Sequence, residues 1–149
     1  MREMGKTGLE NLLVWQKARE LAVLVCKELL PELPSEEKFA LGQQLRRSVQ
    51  SVPANIAEAY GRYSFQDAIR FLYIARGSLE ETFSHLILMM DLEYSTVDVI
   101  VDCIDKYKET ARLLNGYIDY LKQRRKGDSW RKVEDADWEW NYEIATEDH

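Results

Sequence analysis

FALGQQLRRSVQSVPANIAEAYGR, residues 39–62, sets apolar side chains at Leu41, Leu45, Val49, Val52, Ile56 and Tyr60. Steps of three and four residues match the turn of an α-helix and leave one apolar stripe to face a core. Upstream, Ser35 offers an N-cap, with Glu36 and Glu37 in the first turn where the helix dipole favours negative charge. Pro53 falls inside the stripe and removes one backbone hydrogen bond, so a kink is expected there. The stripe keeps its phase across the proline, which predicts one helix running on to Gly61.

Three more segments carry the same periodicity. A first helix is predicted from Leu12 to Leu30, with Asn11 as its N-cap and Leu13, Ala18, Leu21, Val25 and Leu29 on its apolar face. Pro31 and Pro34 stop it. After Gly61, Ser64 and Asp67 form a capping-box-like start for a helix with Ala68, Leu72, Ala75, Leu79, Phe83, Leu86 and Met90 on one face. A last helix begins near Ser95 or Thr96 and carries Val97, Ile100, Val101, Ile104, Ala111, Leu114, Ile118 and Leu121. It ends in the basic run Lys122–Gln–Arg–Arg–Lys126 before Gly127, an ordinary helix stop. Helices of this length joined by short connections predict an all-α, up-down-up-down antiparallel four-helix bundle. The domain is placed at residues 9–126, with residues 127–149 as an acidic, tryptophan-rich tail.

The reverse sides of the two middle helices are unusual. A lone bundle needs one apolar stripe per helix and leaves the other side freely polar. Here the back of the second helix carries Arg47, Ser51, Ala54, Glu58 and Arg62, with Asn55 beside them. The back of the third carries Arg70, Ile74, Gly77, Glu81, Ser84 and Leu88. A mid-helix glycine costs about 1 kcal/mol relative to alanine, and it suits a place where another backbone comes close. Gly77 therefore marks a subunit interface, or else a glycine tolerated or packed within the subunit. Arginines among small residues suit an interface held by arginine–carboxylate pairs, whereas Glu58–Arg62 equally makes an i,i+4 surface pair.

With 149 residues the chain is the size of one domain and needs neither disulfide nor metal to fold. Only seven Gly and three Pro argue against a loop-rich β protein. The net charge of −6 is uneven. Residues 1–126 carry 18 Lys+Arg against 18 Asp+Glu, while the tail sets Arg131 and Lys132 against eight carboxylates. The acidic balance therefore says little about whether the bundle binds an anion. Cys26 and Cys103 lie far apart in apolar helical patterns, as expected of reduced thiols. No apolar run reaches membrane-spanning length and the first residues lack the apolar core of a signal peptide, so a cytoplasmic location is expected.

The runs LLVWQKARELA (12–22), FALGQQLRRSVQSVPANIAEAYGR (39–62) and RFLYIARGSLEET (70–82) resemble the bacterial four-helix bundle family of proteins encoded in intervening sequences of 23S ribosomal RNA genes. The accessory variability proteins of diversity-generating retroelements are more distantly similar. The motifs QLRR, PANIAE and IARGSLEE stand in the family's order over about residues 9–126. The matching positions are Trp15, Gln44, Arg46, Arg47, Pro53, Asn55, Glu58, Arg62, Arg70, Arg76, Gly77, Ser78 and Glu80. Ala59 departs from the family's usual glycine, and the tail lies beyond the resemblance. The resemblance implies a homopentamer with a central channel, and non-enzymatic partnership with a reverse transcriptase and its RNA.

Catalytic patterns are missing from the sequence. A di-iron bundle site needs Glu-x-x-His motifs; the two histidines, His85 and His149, do not follow a glutamate at that spacing. Glu81 and His85 share a face at i,i+4 but make too few ligands for a metal. No Cys-x-x-Cys, P-loop or dinucleotide fingerprint occurs. A non-enzymatic protein without metal or cofactor is expected. Two functions compete. In the first, an RNA or DNA adaptor uses Arg46, Arg47, Arg62, Arg70, Arg76 and the Lys122, Arg124, Arg125, Lys126 cluster, although that cluster also caps a helix dipole. In the second, Trp130, Trp138 and Trp140 in the acidic tail anchor a basic protein partner. The tail equally fits folding back on its own oligomer, mimicking nucleic acid over the basic cluster, or acting as a solubilising extension.

Overall fold

Burial follows the stripe read from residues 39–62: Leu41, Leu45, Val49, Val52 and Ile56 are all buried. The computed structural model describes residues 8–127 and contains four α-helices. These are α1 (Leu13–Leu24), α2 (Leu41–Tyr60), α3 (Phe65–Asp91) and α4 (Val97–Gly127). The helix pairs α1–α2, α2–α3, α3–α4 and α4–α1 are the principal contacts, so the chain closes a four-membered ring around one core. This is the all-α four-helix bundle expected from the periodicity. The helix continues through Pro53 without a break in the element. Among the described residues no helix is long and apolar enough to cross a membrane.

The helix ends differ from the sequence reading in instructive ways. Asn11 is not the cap of α1: it closes a 3-10 turn, Gly8–Asn11, and the cap position falls to Leu12 without a side-chain hydrogen bond. Leu12 is fully buried and its N–H donates to the Leu9 carbonyl at 3.0 Å, so burial of the leucine fixes the entry. After Leu24 the helix widens into a π-helical turn, Val25–Leu29, then a 3-10 turn, Leu30–Glu32, keeping Val25, Leu29 and Leu30 all buried ahead of Leu33. Ser35 likewise does not start α2. It opens a separate 3-10 turn, Ser35–Glu37, and α2 begins only at Leu41. Leu33 folds back as a buried plug over Gly42, where a Cβ would lie 2.9 Å from Leu33 Cδ1. The absence of a side chain at residue 42 lets the connection cross this closely.

Ser64 caps α3 as read, its hydroxyl accepting the Asp67 N–H at 3.2 Å. At the other end of the bundle, a residue distant in sequence helps fix the start of α4. The Glu32 carboxylate accepts the Thr96 N–H at 3.1 Å and the Ser95 hydroxyl.

The core of α3 runs Ala68, Leu72, Ala75, Leu79, Thr82, Leu86 and Met89. That alternation of four and three residues is a heptad register, so Thr82 and Met89 take the inward places assigned by sequence to Phe83 and Met90. Met90 is exposed, and Phe83 is half-buried with its ring stacked 4.4 Å from Tyr107. A buried threonine is tolerable because its hydroxyl lies 3.0 Å from Ser48 Oγ and 2.9 Å from the Ser78 carbonyl. Ser51 and Ser78 join their hydroxyls at 2.8 Å in the same seam. Short side chains along that seam make α2–α3 the most extensively packed pair. Opposite it, α1 and α4 are joined by the ion pairs Lys17–Glu109 at 3.4 Å and Lys106–Glu20 at 2.9 Å.

Leu72 is fully buried at the centre of the α3 register. Replacing it with Ala is expected to lower unfolding free energy by roughly 2–5 kcal/mol in urea denaturation followed by circular dichroism. A loss below about 1 kcal/mol, the scale of an exposed helix position, would contradict this placement.

Candidate nucleic-acid interface

The heptad phase of α3 decides where its remaining side chains go. With Leu72, Ala75 and Leu79 inward, Phe71 falls on the flank next to α2 and Tyr73 on the flank next to α4. Arg70, Ile74 and Gly77 form the ridge between them. Each flank gathers cations. The Arg62 guanidinium lies 4.4 Å from the Phe71 ring centroid and that of Arg70 lies 4.9 Å from it. On the other flank, Arg76 sits 4.9 Å and the Lys122 ammonium 5.1 Å from the centroid of Tyr73. Arg76 also donates to Asn115 Oδ1 at 3.3 Å, tying α3 to α4. Arg124 lies over Tyr120 at 5.2 Å. The antiparallel fold thus brings the end of α2, the start of α3 and the end of α4 together. It groups Arg62, Arg70, Arg76, Lys122, Arg124 and exposed Arg125 at one end of the bundle.

Carboxylates neutralise part of this surface. Glu58 pairs with Arg62 at 2.5 Å and Asp67 with Arg70 at 3.9 Å, both on exposed side chains where such pairs contribute little. Among the described residues, neither Arg76 nor Lys122 has an ion pair with a carboxylate. Cation–aromatic contacts at exposed sites contribute about 0.5–1 kcal/mol each. They hold these cations in place without removing their charge.

Arg46 and Arg47, named with the others from sequence, stand elsewhere. At about 1.5 Å per residue they lie more than 20 Å along α2 from Arg62. Arg47 is exposed and lines a polar groove with Gln44, Gln50, Ser51, Ser78 and Glu81; Arg46 borders a small cleft beside Cys26, Lys38 and Gly42. No ion pair joins Arg47 to Glu81, which instead approaches His85 at 3.4 Å. Ser51 and Asn55 are used inside the subunit: Asn55 donates to the Ser51 carbonyl at 2.8 Å and to its hydroxyl at 2.9 Å. Ala54 is exposed, and a Cβ built on Gly77 would meet nothing within 4 Å. The glycine is therefore not required by packing within the subunit. On the same ridge, Ile74 next to it and Leu88 three turns further along are each 46% exposed, high for large apolar side chains on a helix. Lys126 lies in the last turn of α4, and Trp130, Trp138 and Trp140 lie outside the described residues.

Sequence reasoning named the arginines of this end but missed Phe71, Tyr73 and the exposed Tyr63. The alternation in RFLYIAR (70–76) was the available signal, since it sets two aromatics between two arginines. Elsewhere, Tyr107 donates to Glu80 at 2.6 Å, and burial together with that bond pushes its phenol up to about 12. Among the described residues no three His, Cys, Asp or Glu side chains are grouped to hold a metal ion. Both cysteines are free, Cys103 buried and Cys26 half-buried.

Fold and surface together define a helical bundle protein with a cationic, aromatic end. A sequence profile of the 23S rRNA-intervening sequence protein family matches residues 10–116, and the chain belongs to that family. Among solved structures it is similar to a crystal structure of a protein with unknown function from the S23 ribosomal protein family of Bacteroides thetaiotaomicron VPI-5482. The two are 32% identical with a TM-score of 0.65, covering 70% of this chain and 97% of that chain. No curated protein sequence matches.

Burial, reinforced by the nearby Asp102 and Glu32 charges, pushes the Cys103 thiol up to about 12. Reaction requires the thiolate. Iodoacetamide at pH 8 is therefore expected to leave Cys103 unmodified in the folded protein and to alkylate it once urea is added, read by peptide mass spectrometry. Rapid labelling of Cys103 under native conditions would contradict its burial.

Proposed function

We propose that this protein works in the cytoplasm as a non-catalytic, homo-oligomeric adaptor that binds RNA. The observation that carries the reading is the gathering of Arg62, Arg70, Arg76 and Lys122 around Phe71 and Tyr73 at one end of the bundle. The core is complete without these cations, and Arg76 and Lys122 keep their charge available for an anion. Phosphate backbones bind such surfaces through many modest contacts with release of counterions. The family description, 23S rRNA-intervening sequence protein, is consistent with an RNA ligand. A reverse-transcriptase-type protein acting on the same RNA is the further partner that the resemblance to retroelement accessory proteins implies.

Assembly is supported by a different surface. The outer ridge of α3 exposes Ile74 and, three turns beyond Gly77, Leu88; a Cβ on Gly77 would meet nothing in its own subunit, and Arg47 on α2 has no ion pair among the described residues. A neighbouring subunit can cover the apolar side chains and offer a carboxylate to the arginine. Ring symmetry, with five copies implied by the family resemblance, would repeat the cationic end around an axis and multiply phosphate contacts.

RNA affinity is expected to fall log-linearly with salt. The double variant Arg76→Ala/Lys122→Ala should flatten that slope by roughly 0.7 for each phosphate it no longer neutralises. Fluorescence anisotropy over a salt series measures both. Absence of RNA binding at low ionic strength would sink the adaptor reading and favour a scaffold acting through residues 127–149.

For assembly, Gly77→Leu fills space that is open within the subunit and raises helix propensity by up to about 1 kcal/mol. The variant subunit should stay folded while native mass spectrometry shows dissociation toward monomer. An unchanged oligomer mass would remove the α3 ridge from the interface.

A further inference from the structure

Aromatic side chains at the cationic end are placed for more than holding cations. Tyr63, in the short connection between α2 and α3, is 65% exposed, and Tyr73 on the far flank of α3 is 39% exposed. Between them run Arg62, Phe71 and Arg70, followed across the ridge by Arg76 and Lys122. With neighbouring helix axes about 8–10 Å apart, this belt from α2 across α3 to α4 spans roughly 20 Å. Charge alone would serve duplex and single strand alike. Exposed rings alternating with cations match a ligand that alternates phosphates with unpaired flat bases.

We infer that the belt binds single-stranded nucleic acid, RNA foremost, by stacking bases on Tyr63 and Tyr73 while Arg70, Arg76 and Lys122 hold the intervening phosphates. The inference rests on the RNA-adaptor reading and adds to it the strandedness of the ligand. Phe71 is half-buried against the core and carries two guanidiniums, so its part is to position Arg62 and Arg70 and not to receive a base. At Tyr73 the binding step is an exchange. The Lys122 ammonium, 5.1 Å from the ring centroid, moves to a phosphate, and a base takes its place on the ring. The ring keeps a partner throughout and the ammonium gains a full countercharge. Arg76 stays anchored through Asn115, which sets the position of the next phosphate.

The test uses the full chain with three probes: a fluorescein-labelled oligouridylate, an RNA duplex of the same length, and oligothymidylate. Wild type is expected to prefer both single strands over the duplex. The double variant Tyr63→Ala/Tyr73→Ala should lose single-strand affinity by about tenfold or more, since stacking contributes roughly 1–3 kcal/mol per base. Its duplex affinity should fall far less, and its salt slope, set by the number of phosphates neutralised, should not change. Tyr63→Phe/Tyr73→Phe keeps the rings and should bind like wild type, which separates stacking from a hydroxyl contact or a folding defect. Equal binding of single strand and duplex, or an alanine variant indistinguishable from wild type, would overturn the stacking inference and leave RNA binding standing. Failure of every probe to bind would remove both.

Discussion

The rotational setting of α3 governs most of what the protein presents to its surroundings. Thr82 faces inward there, next to Ser48 and the Ser78 carbonyl, and its satisfied hydroxyl permits a heptad register that a larger apolar residue at that place would disturb. Once Leu72, Leu79, Leu86 and Met89 point to the core, every other position on a 27-residue helix is fixed in angle. Phe71 must lie beside α2, Tyr73 beside α4, and Gly77 on the outer ridge. A rotation of one residue would, in one sense, turn Arg76 inward, and in either sense swing the leucines away from the centre of the core.

The seam that sets this register is polar, which separates it from a simple leucine-packed bundle. Ser48, Ser51, Ser78 and Thr82 are short, so α2 and α3 pack along their length with their hydroxyls paired to one another. Each hydroxyl hydrogen bond adds only about 1 kcal/mol net, yet an unpaired one in the same place would cost more. Such a seam favours one register over neighbouring ones, because a slip would leave hydroxyls unsatisfied. The α1–α4 side uses longer-range restraint, with Lys106 donating to Glu20 at 2.9 Å across the two helices. That bond, with Lys17 also close, holds the Glu20 carboxyl below its usual range despite some burial.

Net charge is a poor guide to such a protein. Its excess of six negative charges arises in residues 127–149, whereas the cations of the bundle are concentrated by folding at one end. Screening over about 8–10 Å at physiological ionic strength makes the local arrangement matter more than the sum. The chain belongs to the 23S rRNA-intervening sequence protein family, and the shared bundle with the Bacteroides thetaiotaomicron structure shows that the scaffold is common to both chains.

Much of the fold was legible in the chain: four helices, the stripe from Leu41 to Ile56, the Ser64 cap and the stop at Gly61. These are local properties, since periodicity and capping depend on residues within a few positions of one another. The starts of α1 and α2 were misplaced because burial of Leu12 and the crossing of Leu33 over Gly42 outrank Asn11 and Ser35 as caps. The arginines of the candidate site were legible as charges, but not their grouping. Arg62 meets Phe71 and Lys122 meets Tyr73 only because antiparallel packing folds distant helix ends together, and Arg46 and Arg47 are left behind for the same reason. A sequence specifies which face each helix turns inward; which side chains become neighbours on the outside is set by how the helices are arranged.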